Sequence, residues 1–220
     1  MAEPQAFEDE RSSAGVSRRR GASLRRNAVL IAVAGVLTAG GVAIGVLSAT
    51  AAAVGTVSGW GSDAAGELGA PPSLSGVASV AAGTGFSLAL KSDGTVTGWG
   101  DNASGVLGVP ADLGDVTAVA AGDDFALALR SGGTVRGWGR NGVGQLDVPT
   151  DLNGVTAVSA GDGFGLALKS DGTVKGWGRN DLGQLNVPAD LNGVTAVSAG
   201  DGFGLALKSD GTVKGWGRND

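Results

Sequence analysis

GFGLALKSDGTVKGWGRNDLGQLNVP, residues 163–188, is the stretch on which the fold turns. From Phe164 to Lys169 large and small side chains alternate with period two, the pattern of a β-strand. Ser170-Asp171-Gly172 then carries an Asp-Gly pair, expected where a tight hairpin needs positive φ, and Thr173 to Gly178 reads as the next strand. Upstream, Val155 to Ala160 is another β-rich run, joined to the first through the turn Gly161-Asp162-Gly163. Arg179 to Gly183 is a loop. Gln184 to Pro188 is expected to be a short fourth strand at an outer edge, since Pro188 cannot donate to a ladder.

The faces of this unit predict how it stacks. Phe164, Leu166 and Leu168 point one way, and Gly165 and Ala167 the other. A sheet that is apolar on both faces must be covered on both, and nesting bulky against small between identical sheets does this without a helix. Gly176 and Gly178 beside Trp177 predict a close backbone approach by a neighbour, across the tryptophan ring.

The unit repeats. Trp60, Trp99, Trp138, Trp177 and Trp216 are spaced by 39 residues, and Phe86, Phe125, Phe164 and Phe203 keep the same step. Such a period marks stacked structural units. Complete units span 76–114, 115–153 and 154–192, with partial ones at 56–75 and 193–220; Gly154–Asp181 and Gly193–Asp220 are identical at all 28 positions. The expected class is all-β, a β-propeller of blades about 39 residues long over residues 54–220, with an open β-solenoid as the alternative. Four to five blades are expected, an incomplete ring belonging to a longer product; the other option is closure of a small ring by the two partial units.

The motif Gly-x-x-Phe-x-Leu-Ala-Leu-Lys-Ser-Asp-Gly-Thr-Val-x-Gly-Trp-Gly-x-Asn-x-x-Gly-Gln-Leu-x-Val-Pro resembles the repeats of the regulator of chromosome condensation family, especially the short bacterial type of secreted β-lactamase inhibitory propellers. The resemblance covers residues 56–220 and implies a propeller, seven-bladed in typical members, that binds other proteins through loops at one end. Some eukaryotic members promote nucleotide exchange on a small GTPase. Where many family repeats have His, this chain has Phe86, Phe125, Phe164 and Phe203, which keeps the packing and removes any imidazole role.

Composition narrows the chemistry. With no His, Cys or Tyr in 220 residues, imidazole catalysis, thiolate nucleophiles, disulfides and Cys/His zinc sites are excluded. No cofactor is expected. Residues 1–26 hold six Arg against four acids, a basic/acidic tail of +2 expected to be disordered; with −5 overall, the rest carries −7. An acidic body disfavours nucleic acid, whose affinity rests on neutralised phosphates.

Residues 28–47, AVLIAVAGVLTAGGVAIGVL, form an uncharged apolar run behind Arg25 and Arg26. As a helix it spans roughly 30 Å, the thickness of a bilayer core, and the arginines should stay cytoplasmic. Residues 27–53 therefore read as a hydrophobic helix that is either a transmembrane anchor or a signal peptide, with cleavage after Ala49-Thr50-Ala51 or Ala51-Ala52-Ala53. Both readings place the body outside the cytoplasm, single-pass and anchored or secreted.

In an up-and-down blade, the first-to-second and third-to-fourth loops share one end. That end is expected to gather Asp123, Asp124, Asp162 and Asp201 from one loop set and Arg140, Arg179 and Arg218 from the other, able to hold a basic partner loop or a cation. The plainer reading is solvated turns with surface ion pairs. The pair Asp123-Asp124 resembles a general acid/base couple, but neighbours on a turn rarely face one substrate. Gly176-x-Gly178 lacks the Gly-Lys-Ser/Thr ending of a phosphate loop, and Ser-Asp-Gly is a hairpin device rather than a calcium ligand. Lys91, Arg130, Lys169 and Lys208 read as a solubilising row. The expected function is a noncatalytic extracytoplasmic module that recognises a protein or cell-surface ligand through loops at one end. The alternatives are a carboxylate-dependent glycan-active enzyme and a spacer without specific ligand.

Overall fold

The structure is a computed structural model that describes residues 57–219. The tail 1–26 and the apolar segment 27–53 lie outside the described residues. Among those described, no helix is long and apolar enough to cross a membrane.

Among the described residues, twelve strands form four antiparallel three-stranded sheets. They are β1 (Val77–Ala82), β2 (Phe86–Lys91) and β3 (Val96–Gly100); β4 (Val116–Ala121), β5 (Phe125–Arg130) and β6 (Val135–Gly139); β7 (Val155–Ala160), β8 (Phe164–Lys169) and β9 (Val174–Gly178); β10 (Val194–Ala199), β11 (Phe203–Lys208) and β12 (Val213–Gly217). In each sheet the second strand is central. The first strands β1, β4, β7 and β10 contact one another in succession, and the Ala199 N–H donates to Ser159 Oγ at 2.9 Å between two of them. First strands therefore line the inner rim and third strands the outer, the radial order of propeller blades.

The core lies between blades. Phe125, Leu127 and Leu129 of β5 pack on Val155, Ala167 and Trp177 of the next blade. Phe86, Leu88 and Leu90 of β2 meet Val116, Ala126, Ala128 and Trp138 in the same way, and Phe164 and Leu166 of β8 meet Ala199 and Trp216. Bulky faces enter small ones, as the alternation predicts. Each buried Leu or Phe contributes about 1.5–3 kcal/mol.

The tryptophans tie successive blades. The indole N–H of Trp177 donates to the Gln145 carbonyl of the preceding repeat at 3.0 Å, and Trp138 and Trp216 repeat the bond to Val106 at 2.7 Å and Gln184 at 2.8 Å. Gly178, at φ +96°, sits where a Cβ would come 2.5 Å from the Gly163 carbonyl and 3.2 Å from Gln145 Cα. The neighbour's backbone does approach beside the tryptophan, although the Trp177 ring itself lies on Gly165 within its own sheet.

The expected fourth strand is absent: Gln184 to Pro188 forms turns, closed by Asn186 N–H to the Gly183 carbonyl at 3.0 Å and Val187 N–H to Leu185 at 2.8 Å. Pro188 opens a further turn, whose carbonyl accepts from Leu191 N–H at 3.0 Å. Leu185 covers Gly176, so the segment is held by its side chain rather than by a ladder. The described residues hold four blades, because residues 193–217 complete a sheet, while residues 57–75 contain no strand. That N-terminal part still supplies a clasp: the Glu67 carbonyl accepts from Trp99 Nε1 at 2.8 Å and Ser87 Oγ at 2.9 Å.

Candidate functional site: an acidic loop face across blades two to four

Two loop sets meet at one end of the blades. The turn after each first strand is fixed by small backbones: a Cβ on Gly122 would lie 2.8 Å from the Gly161 carbonyl of the next blade. Asp162 N–H reaches across to the Gly200 carbonyl at 3.3 Å. The loop after each third strand is pinned by an asparagine, with Asn141 Oδ1 accepting from Leu146 N–H and Asn180 Oδ1 from Leu185 N–H, both at 2.8 Å. Backbone bonds join the sets: Arg140, Arg179 and Arg218 N–H donate to the carbonyls of Asp124, Gly163 and Gly202 at 3.0, 2.9 and 2.9 Å.

A pocket of about 330 Å³ opens there, lined by Asp123, Asp124, Arg140, Asp162, Arg179 and Asp181 among others. Arg140 Nη1 lies 3.1 Å from Asp124 Oδ2, and Arg179 Nη1 lies 2.9 Å from Asp162 Oδ2. Arg179 also holds Asp181 through two bonds of 2.7 Å, from Nε and Nη2. This fork lowers the Asp181 pKa and raises that of Arg179. Asp162 moves the opposite way: burial raises its pKa, the Asp123 charge and a hydrogen bond with Asp201 add to the rise, and Arg179 opposes it.

The structure thus brings together Asp123, Asp124, Asp162, Arg140 and Arg179, with Asp201 beside Asp162. Arg218 holds the equivalent place in the last blade. Sequence reasoning missed Asp181 and Gln145. Gln145 is buried and accepts from Val143 N–H at 2.9 Å, while its own carbonyl takes the Trp177 proton. The recurring Gly-Gln-Leu was the available signal, and it was absorbed into the presumed fourth strand. Among the described residues, no group of three or more acidic side chains is arranged to hold a metal ion.

At the far end the Asp-Gly hairpins behave as expected. Asp171 Oδ1 accepts from Thr173 N–H at 3.0 Å and Thr173 Oγ1 at 2.6 Å, which holds its pKa at about 2. Lys169 lies 3.3 Å away, so the row of basic residues includes partnered ones.

A radial array of 39-residue blades clasped by tryptophan defines a β-propeller repeat protein. The chain belongs to the regulator of chromosome condensation (RCC1) repeat family, whose signature matches residues 77–106, 116–145, 155–184 and 194–220. Among solved structures it is similar to Prp20p from Saccharomyces cerevisiae, at 21% identity over 64% of this chain and 45% of that one, with a TM-score of 0.56. The CRINKLY WD40 ectodomain of the Arabidopsis thaliana receptor kinase ACR4 superposes at TM-score 0.54 with 22% identity, covering 66% of this chain and 51% of that one. Human WBSCR16 does so at 0.56 and 25%, covering 64% and 47%. The chain therefore spans about half the length of these proteins. No curated protein matches its sequence.

Proposed function

We propose that this chain is a noncatalytic, extracytoplasmic interaction module whose acidic loop face receives a basic segment of a protein or cell-surface ligand. The observation that carries this reading is the charge balance of the pocket: Asp123, Asp124, Asp162 and Asp181 outnumber Arg140 and Arg179, and burial makes the charge on Asp162 costly. A cationic side chain offsets that cost. Prp20p, of the same fold, is described as binding Gsp1p and histones, which supports a protein partner. The apolar residues 28–47 would tether or export the module.

The test is titration of the full chain in detergent with lysine- or arginine-rich peptides and neutral controls. Saturable, salt-sensitive binding that Asp162→Asn and Asp123→Asn weaken is expected. Absence of saturable binding, or a glycan turnover abolished by these substitutions, contradicts the reading. The mass of the mature natural protein separates an uncleaved anchor from a cleaved signal.

A further inference from the structure

Blades two and three carry closely similar loops after their third strands. Arg140, Asn141 and Gln145 recur in the next repeat as Arg179, Asn180 and Gln184, but the place of Gly142 is taken by Asp181. Blade one has Asp101 and Val106 at the arginine and glutamine positions, so the comparison lies between these two loops. In blade three the Asp181 carboxylate is gripped from two sides. Arg179 reaches it through Nε and Nη2, each at 2.7 Å, and Gln184 Nε2 donates to its Oδ1 at 3.4 Å.

Blade two keeps the donors without the carboxylate. Gln145 is 3% exposed and lines the loop-face pocket. Its Oε1 accepts from Val143 N–H at 2.9 Å, as Gln184 Oε1 accepts from Leu182 N–H at 2.8 Å, yet among the described residues no acceptor meets Gln145 Nε2. Arg140 gives Nη1 to Asp124 at 3.1 Å, while its Nε and Nη2 meet no acceptor among the described residues. Those two nitrogens stand beside Gly142, 3.2 and 3.7 Å from where its Cβ would be. A buried amide donor ordinarily has a partner, and this edge of a guanidinium matches a carboxylate through two parallel bonds.

We propose that blade two binds a carboxylate of the ligand between Arg140 and Gln145, in the place that the Asp181 carboxylate takes in blade three. The acids nearby do not forbid it: Asp181 shares the pocket with Asp123 and Asp162, and Arg179 still holds its pKa below the usual carboxylate value. For the rest of the ligand, the inference rests on the reading of this face as a receptor for basic segments. A lysine or arginine against Asp123 and Asp162 brings a carboxylate with it in two ways, as the free end of its own chain or as the side chain of an acidic neighbour.

NMR of the full-length chain in mild detergent follows the Gln145 side-chain amide and the Arg140 Nε–H as sodium acetate is added, with sodium chloride at equal ionic strength as the control. A saturable shift of both signals with acetate alone is expected. Gly142→Asp, which supplies a tethered carboxylate, should weaken that response by about tenfold or more. Asp181→Gly should bring the same response to Arg179 and Gln184, and decides the matter if the first variant fails to fold. An equal response to chloride, or none to acetate, overturns the proposal. Three peptides then separate the sources: one ending in lysine with a free carboxylate, the same peptide amidated, and an amidated peptide ending in lysine-aspartate. Binding about tenfold tighter than the plain amide identifies the chain end or the acidic side chain as the group held. Equal binding of all three overturns the carboxylate site and leaves the basic-segment reading standing; binding of none, with the acetate response intact, overturns that reading and leaves the site.

Discussion

Blades three and four are built from the same 28 residues, Gly154–Asp181 and Gly193–Asp220, yet they sit in different surroundings. Their strands and register are the same: Phe164 pairs with Gly178 as Phe203 pairs with Gly217, and Leu166 with Gly176 as Leu205 with Gly215. Their burial is not. Phe164 is 0% exposed and Phe203 39%. Local structure is thus written within one repeat, through alternation, the Asp-Gly turn and the glycines beside tryptophan. Most of the stabilisation comes from the next repeat, as in other quasi-one-dimensional arrays.

The largest effect should separate the two phenylalanines. Phe164→Ala empties a closed site and is expected to cost about 3–5 kcal/mol in denaturant unfolding. Phe203→Ala in dilute protein should cost less than about half of that, because the ring is already partly in water.

The tryptophans sharpen the comparison further. Trp177→Phe removes the N–H that satisfies the buried Gln145 carbonyl, an expected loss of about 1–3 kcal/mol. Trp60→Phe, at an exposed indole in the same repeat position, should change stability by no more than about 0.5 kcal/mol. Equal costs would show that the clasp is not what holds neighbouring blades.

Carboxylates at opposite ends of blade three should respond to pH in opposite senses. Asp171, like Asp93 and Asp210, has a folded pKa of about 2, below its usual 3.8. Its stabilisation is full above the unfolded value and is lost as pH falls towards 2. Blade two has Ser131-Gly132-Gly133 at this tip and should show no such titration. Asp162 is raised instead, so the folded chain binds the proton more tightly than the unfolded one. Its contribution makes stability fall as pH rises from the unfolded value through the folded one. Asp162→Asn should remove that slope and stabilise the protein at neutral pH, with NMR titration of both carboxylates as the check.

A small effect is also expected at Gly165. Its absent Cβ makes room for the Trp177 ring, but Ala126 and Ser87 fill the equivalent places in blades two and one beside the same indole. Gly165→Ala should therefore cost no more than about 1 kcal/mol. A larger loss would mean that the ring cannot shift as it has in those blades.

How much of this was legible follows the same division between local and neighbouring information. Val155–Ala160 and Phe164–Lys169 are strands with the bounds read from the β-rich composition of the first and the alternation of the second, and Gly172 has the positive φ, +79°, that its turn requires. The nesting of Leu166 and Phe164 onto the following blade could be read because one repeat displays both partner faces. Gln184 to Pro188 misled because a short run with apolar residues at alternate positions looks like a strand from its sequence alone. Its turns depend on Leu185 finding Gly176 and on the Gln184 carbonyl meeting Trp216, which lies 32 residues away. At the loop face, chain topology was enough to gather the acids and arginines. The Arg179–Asp181 fork and the buried Gln145 required knowing how the loop folds.

The nesting of bulky onto small faces is tested most directly by placing a single thiol in each of the two identical strands. Leu166→Cys and Leu205→Cys, in dilute folded protein, should differ in maleimide labelling. The thiol at position 166 is expected to react at least about a hundredfold more slowly, because it is reached only through opening of the blade interface. Equal rates at the two positions under conditions where the chain is a single copy would contradict the packing described for every blade.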